Sequence, residues 1–233
     1  MLSRVLLVFT FFFFSSCQLL QEIAGSSVSR VSNQEIAKAL KEALRQGVEY
    51  KVSLLAKSGG YFSNPAVRID LPEELKIVER KLVTVGLGNL TDEGIKLLNS
   101  AAEDAVGEAT NIFFDAITNM TLTDAMTILK GNDSAATKYL KDVSDQKLYD
   151  AFHPQIKLSL DKVGANQVWK SIASKYNVIP FVKKIDPQLD DYVTKAALQG
   201  VYTMIAQQEL KIRSDISARN TDLLRKVFAL QDK

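Results

Sequence analysis

The sequence predicts an all-α protein: a single multi-helix domain of about eight or nine helices behind an N-terminal lipoprotein signal peptide. Apolar residues recur along most of the chain at the three- and four-residue spacing of one helix face. Most of these segments begin at a capping residue or a proline, and several end at glycine, as helices do. Residues 61–71 are the least helical segment. Within it Val67, Ile69 and Leu71 alternate with Arg68 and Asp70, which predicts a short extended piece over the core.

The predicted helices follow one another with short links. Their approximate ranges, in order, are 32–57, 72–86, 91–120, 121–130, 133–140, 144–163, 167–176, 186–213 and 221–228. The starting residues that cap a helix or fit its first turn are Ser32, Pro72, Thr91, Thr121, Asp133, Ser144, Asp186-Pro187 and Thr221. Ser32 and Glu35 also match a capping box. We expect Pro154 to bend or split the helix that contains it, because proline lacks a backbone donor.

Composition restricts the function classes. The chain has 233 residues, of which 46% are apolar and 24% charged, as in ordinary globular domains. There are 29 Lys and Arg against 27 Asp and Glu. This near-neutral balance provides no electrostatic argument for binding nucleic acid or anionic lipid. We therefore expect no nucleic-acid partner.

The first seventeen residues match the pattern of an exported lipoprotein. Arg4 precedes an apolar run from Val5 to Phe14, and two serines lead to Cys17, the only cysteine. The run is shorter than the roughly 20 residues of a membrane-spanning helix and fits the roughly 7 to 15 of a signal peptide. Residues 14–17 resemble the lipobox of bacterial lipoproteins, in which the chain is cut before the cysteine. The alternative is an ordinary signal peptide with a chance cysteine.

The lipobox resemblance implies a domain plan. Residues 1–16 would be a signal peptide, residues 17–31 the lipidated cysteine with a flexible tether, and residues 32–233 the helical domain. Diacylglycerol on the Cys17 sulfur and a fatty acyl chain such as palmitate on its amino group would hold the protein on a membrane, since two or more chains anchor stably. Gln18 follows the cysteine in place of aspartate, and by analogy with enteric bacteria this favours the outer membrane, facing the periplasm.

Several separated blocks resemble an uncharacterised bacterial family, catalogued as a domain of unknown function in lipoproteins or secreted proteins. The blocks are Asn64–Ile69, Met120-Thr121 with Asp124-Ala125 and Ile128-Leu129, Ala135–Thr137 with Tyr139-Leu140, Asp190–Thr194 with Ala197-Leu198 and Gly200, Ile212-Arg213, and Thr221–Leu224 with Val227-Phe228. The resemblance covers nearly the whole mature chain. It implies a helical envelope protein and supplies no activity and no catalytic residues.

The candidate chemistry involves His153 and two aspartates. His153 is the only histidine, so a catalytic triad or a histidine-based zinc site would depend on one imidazole. Asp190 and Asp191 lie near the start of a predicted helix with Asp186, where carboxylates could bind a divalent cation. The alternative is a helix cap with favourable dipole charges. We predict no metal and no cofactor.

Arginines and aromatic residues supply the remaining candidates. Arg68 lies among apolar residues, and Arg213 lies near Arg219 and Arg225, so these side chains could bind an anion or a carboxylate. Solvated or ion-paired arginines are the alternative. Eight aromatic residues could line an apolar pocket or simply fill the core: Tyr61, Phe62, Phe113, Phe114, Phe152, Trp169, Phe181 and Phe228.

These observations favour a non-enzymatic module that is tethered to the envelope membrane through Cys17. Its partner would be an envelope protein or a small apolar ligand. Two alternatives stay open at this point: an envelope enzyme, such as a hydrolase, that uses Asp190, Asp191 and His153, and a purely structural envelope component.

Overall fold

The computed structural model describes residues 31–72, 76, 88–178, 180, 181, 184, 186 and 188–232. Residues Asn33–Lys233 form one compact unit. The predicted signal peptide, Cys17 and almost all of the tether lie outside the described residues, as does most of the helix predicted over residues 72–86. Among the described helices, none is both long and apolar enough to cross a membrane.

The all-α prediction is confirmed, because the described residues contain helices and turns and no strand. The α-helices are α1 (Asn33–Leu55), α2 (Gly88–Ala105), α3 (Ala109–Asn119), α4 (Leu122–Lys130), α5 (Ala135–Lys162), α6 (Ala165–Asn177), α7 (Leu189–Ser214) and α8 (Asp222–Phe228). Three short 3-10 helices lie at Val106–Glu108, Ile216–Ala218 and Ala229–Gln231. The number of described helices is close to the predicted eight or nine.

The core is organised around two long helices, α5 and α7, which form the most extensive helix pair. Helix α1 lies against α3, α4, α7 and α8, and α2 lies against α5. The apolar stripes predicted from helical spacing face inward: Leu40 and Val48 of α1, Phe152 of α5 and Val193 of α7 are almost fully buried. Burying a side chain of this size contributes about 1.5 to 3 kcal/mol, so these stripes account for most of the packing between helices.

Helix α5 corrects two predictions. We expected separate helices over residues 133–140 and 144–163, but one helix runs from Ala135 to Lys162. Ser144 lies inside it and its hydroxyl donates to the carbonyl of Leu140, and Pro154 also lies inside without ending it. The buried stripe continues through Leu148, Phe152, Ile156 and Leu160 against α7. We attribute the intact helix to this burial, which outweighs the roughly 3 kcal/mol that an internal proline costs.

The helix predicted over residues 91–120 is also different. The 3-10 turn Val106–Glu108 divides it into α2 and α3. Residue 107 of this turn is a glycine, the poorest helix former after proline, while Val106 is fully buried and anchors the turn to the core. Thr91 is not an N-cap, because α2 is already helical at Gly88.

Two of the predicted helix caps are confirmed, at Thr121 and Thr221, and one, at Asp133, is not. Thr121 and Asp124 form a capping box at α4, with the Thr121 Oγ1 accepting from the Asp124 amide at 3.1 Å and the Asp124 carboxylate accepting from the Thr121 amide at 2.9 Å. Thr221 caps α8 by accepting from the Leu224 amide at 3.2 Å. The predicted Asp133 cap is wrong, since α5 begins at Ala135. In the first turn of α5, the amides of Ala136 and Thr137 instead donate to the Glu209 carboxylate of α7.

Residues 61–67 form turns that are interrupted at Asn64, and residues 68–72 have no regular secondary structure. Val67 and Ile69 are buried while Arg68 and Asp70 are not, which confirms the alternation. The buried side chain of Asn99 on α2 binds the backbone of Ile69 as a neighbouring strand would: its Oδ1 accepts from the Ile69 amide and its Nδ2 donates to the Ile69 carbonyl, both at 2.8 Å. Both backbone polar groups of Ile69 are therefore satisfied without a sheet.

Candidate functional site

Packing of α5 against α7 brings the predicted histidine and aspartates together. His153 projects from α5, and Asp190 and Asp191 lie in the first turn of α7. The Nε2 of His153 lies 3.3 Å from an Asp190 carboxylate oxygen, and Asp190 is buried. This distance allows an ion pair once the imidazole is protonated, although the geometry does not form a hydrogen bond.

Asp191 is held by two further side chains. The Tyr149 hydroxyl donates to one of its carboxylate oxygens at 2.7 Å, and the Lys195 ammonium lies 2.7 Å from the other. Tyr149 stacks on His153 one turn along α5, with ring centroids 5.3 Å apart and planes inclined by 12°. We name these five residues, Tyr149, His153, Asp190, Asp191 and Lys195, the α5–α7 polar cluster.

The contacts shift the acidities within the polar cluster. Burial, and then the hydrogen bond to Asp191, raise the pKa of Tyr149 to about 12. Burial alone would raise the pKa of Asp191, but the hydrogen bonds from Lys195 and Tyr149 outweigh it and lower that pKa. The hydrogen bond to Asp191 raises the pKa of Lys195. At neutral pH Asp191 is therefore a carboxylate held between a neutral phenol and an ammonium.

This arrangement has two interpretations. In the catalytic one, the Asp190 carboxylate orients the His153 imidazole as a general base. In the structural one, the polar cluster joins α5 to α7, and the aspartates stabilise the positive end of α7. Within the part of the chain that the structure describes, no group of three or more His, Cys, Asp or Glu could hold a metal ion.

Arg213 is bound inside the protein. Its guanidinium lies 2.9 Å from the Glu209 carboxylate, and both side chains are almost fully buried. It also donates to the carbonyls of Ile128 at 2.9 Å and Leu129 at 3.4 Å, in the last turn of α4. Helix carbonyls at this end have no partner within the helix and favour a cation. Arg213 thus closes α4 and pairs with Glu209.

The other arginines also have partners within the chain. Arg219 is 1% exposed and donates to both carboxylate oxygens of Asp232 at 2.7 Å. Arg225 donates to the carbonyl of Arg219 and to Asp222. Arg68 donates to Asp70 at 3.0 Å, and its guanidinium carbon lies 4.5 Å from the centre of the Phe62 ring. The structure does not bring Arg68, Arg213 and the aspartates into one site.

Most of the candidate aromatic residues are core residues: Tyr61, Phe113, Phe152, Trp169 and Phe228 are buried. Tyr61 packs against α7 where Gly200 leaves room, because a Cβ at that glycine would come within 2.7 Å of the Tyr61 ring. Its hydroxyl donates to the Ala197 carbonyl at 2.9 Å. These rings hold elements together, and Phe228 also lines a small apolar pocket between α1, α5, α7 and α8.

An open cleft lies elsewhere, between the second half of α1, the end of α7 and the start of α8. Its volume is about 520 Å³, within the range of roughly 300 to 1,000 Å³ typical of ligand pockets. Its polar lining includes Gln46 and Tyr50 of α1, Gln208 of α7 and Asn220 before α8. No pattern in the sequence points to any of these residues, since no motif connects segments 150 or more positions apart.

Comparison with known proteins identifies a family but no activity. A family model described as "Protein of unknown function (DUF4197)" matches residues 30–229. No curated protein and no solved structure matches the chain.

Proposed function

The chain belongs to the DUF4197 family of proteins of unknown function, and we propose that it is a membrane-anchored lipoprotein of the bacterial cell envelope whose helical domain is a non-enzymatic binding module. Arg4, the apolar run and Cys17 support the anchor, since they occur in the order that export and acylation require. Gln18 supports a position on the outer membrane, facing the periplasm.

One observation supports binding over catalysis: two of the charged candidates, Asp191 and Arg213, are already bound by other side chains of the protein, whereas the cleft is open. Both oxygens of Asp191 have partners at 2.7 Å, and the guanidinium of Arg213 is shared between Glu209 and the end of α4. A catalytic group needs a reacting atom within hydrogen-bonding reach, and groups with every position filled cannot receive one without rearranging. The cleft already has a volume of about 520 Å³.

Mass spectrometry of the N-terminus tests the anchor. We expect the native protein to begin at Cys17 and to carry diacylglycerol on its sulfur and an acyl chain on its amino group. A Cys17→Ser variant is the matched control, because it keeps the signal peptide and loses the acceptor sulfur. An intact Met1 or a bare thiol at residue 17 in the native protein would refute the anchor.

Affinity capture tests the binding module. The full lipoprotein, extracted in detergent and immobilised, should retain a component of envelope extracts in a saturable manner. Retention should survive His153→Gln, because on this proposal the imidazole takes no part in recognition. If no protein, lipid or glycan is retained under any condition, the binding proposal fails.

A second candidate is an envelope hydrolase, which the 3.3 Å approach of His153 to Asp190 favours. On that hypothesis, His153→Ala and Asp190→Asn would each abolish an activity while leaving the midpoint of thermal unfolding unchanged. A large loss of stability without any measurable activity in the native protein would instead identify the polar cluster as a packing contact.

A further inference from the structure

The cleft between α1, α7 and α8 has a small, apolar base. Ala43, Gly47 and Ala218 contribute little side-chain volume, and Ile212 and Leu224 are buried beneath the opening. Gly47 lets α1 lie close to α7, since a Cβ there would come within 3.2 Å of the Gln208 side chain. A ligand with an apolar face can therefore enter to the depth of the helix backbones.

Polar side chains of one kind border this base. Gln46, Gln208 and Asn220 carry amides, each of which both donates and accepts hydrogen bonds. The Asn220 amide donates to the Gln46 Oε1 at 2.8 Å across the opening, while the Gln208 side chain makes no hydrogen bond to another described residue. Tyr50 adds a half-exposed aromatic ring. The border therefore suits a ligand rich in groups that donate and accept together.

The charge of the cleft favours a neutral ligand. Its lining contains one carboxylate, Glu49, and no Lys, Arg or His, so a phosphate or carboxylate would meet no cation within the lining. Lys51 lies just outside the lining and carries the charge opposite to that of Glu49, so a cationic ligand would meet no surplus of negative charge. Burial, and then the charge of Lys211, lower the pKa of Lys51, and the Lys51 ammonium lies 5.4 Å from the centre of the Tyr50 ring.

From this geometry we propose that the cleft binds a neutral saccharide that carries acetamido groups. A sugar ring presents apolar C–H groups on one face and hydroxyls at its edge, which match the apolar base and the amide border. The acetamido group both donates and accepts, as the three amides do, and its methyl is small and apolar, as are the Ala43 and Ala218 side chains of the base. The inference rests on the proposed role of the domain as a binding module and specifies the ligand class.

Isothermal titration of the full lipoprotein with chitotetraose tests the inference. The protein is kept in a detergent without a sugar head group, so that the micelle does not compete. We expect saturable binding that weakens about tenfold in Tyr50→Ala, the effect of losing about 1.4 kcal/mol of ring contact. Ala218→Leu should weaken it similarly by filling the base. Gln146→Ala, an exposed glutamine of α5 outside the cleft, is the control and should bind unchanged.

Two further ligands test whether the cleft recognises the sugar ring or the amide group. Maltotetraose has the rings without acetamido groups, and tetra-alanine has amides without rings; both should bind at least tenfold more weakly than chitotetraose. Equal binding of either one, no binding of chitotetraose, or equal loss in all three variants would overturn the inference. Circular dichroism of each variant confirms that it is folded. If chitotetraose fails while envelope extracts are still retained, the ligand class is wrong and the binding module stands.

Discussion

Replacing Glu209 with alanine would remove a carboxylate on which three helices depend. Glu209 lies near the end of α7 and is almost fully buried. It accepts from the backbone amides of Ala136 at 2.9 Å and Thr137 at 2.8 Å, in the first turn of α5, and from the Thr137 hydroxyl at 2.8 Å. Its second role is to pair with Arg213, which closes α4. The side chain of Ser134, the N-cap residue of α5, does not cap the helix.

The size of the effect follows from these two roles. Losing a helix cap costs about 0.5 to 2 kcal/mol. Leaving the buried Arg213 without its carboxylate costs about 3 to 5 kcal/mol, as for other broken buried pairs. The two losses overlap because one carboxylate serves both, so we expect about 3 to 5 kcal/mol in total for Glu209→Ala. Glu209→Gln keeps one acceptor and should cost about 1 to 3 kcal/mol.

Urea unfolding, followed by circular dichroism at neutral pH, measures this loss. A chain without residues 1–17 carries neither the apolar leader nor lipid, so that unfolding is not coupled to a micelle. Glu42→Ala is the matched control, because Glu42 is half-exposed on α1 and, among the described residues, accepts from Gln46 alone, at 3.3 Å. We expect the control to change stability by less than about 0.5 kcal/mol. A loss below about 1 kcal/mol in Glu209→Ala would refute the capping and pairing roles.

Three other substitutions test separate parts of the fold. Leu98→Ala, in the buried face of α2, should cost about 2 to 5 kcal/mol in urea unfolding. Thr121→Ala should cost about 0.5 to 2 kcal/mol by removing the α4 cap. Although burial alone would raise the pKa of Asp191, hydrogen bonds from Lys195 and Tyr149 lower it. Its contribution is therefore present above the unfolded value of about 3.9 and lost as the pH falls through the folded pKa, so stability in Asp191→Asn should decline less on acidification.

Some signals that act within a few residues were predicted correctly, but the predicted caps at Thr91, Asp133 and Ser144 were not. The Thr121 and Thr221 caps and the buried alternation of Val67 and Ile69 are local, and all are found in the structure. Pro154 was expected to bend or split its helix, and it does not split it; we attribute this to the burial of the stripe around it where α5 packs against α7. A partner helix distant in sequence supplies that burial, so no local pattern could have predicted the continuous helix.

The candidate site shows the same division. The sequence shows Asp190 and Asp191 side by side near a predicted helix start, and His153 as the only histidine. It does not show that the His153 Nε2 lies 3.3 Å from an Asp190 carboxylate oxygen. That proximity comes from the packing of α5 on α7. The cleft is harder still to predict, because Gln46, Gln208 and Asn220 have no spacing rule in common and meet only when α1, α7 and α8 assemble.

Helix α7 joins these separate features, and its neighbouring residues face different surroundings. Gln208 and Ile212 border the cleft, whereas Glu209 and Arg213, the next residue in each case, are bound to α4 and α5. Side chains that are locked by buried hydrogen bonds position the adjacent ones more precisely than a free surface helix can. The buried pair therefore fixes one wall of the cleft. A folded Glu209→Gln protein should accordingly bind a cleft ligand more weakly than the native protein, although residue 209 makes no hydrogen bond across the opening.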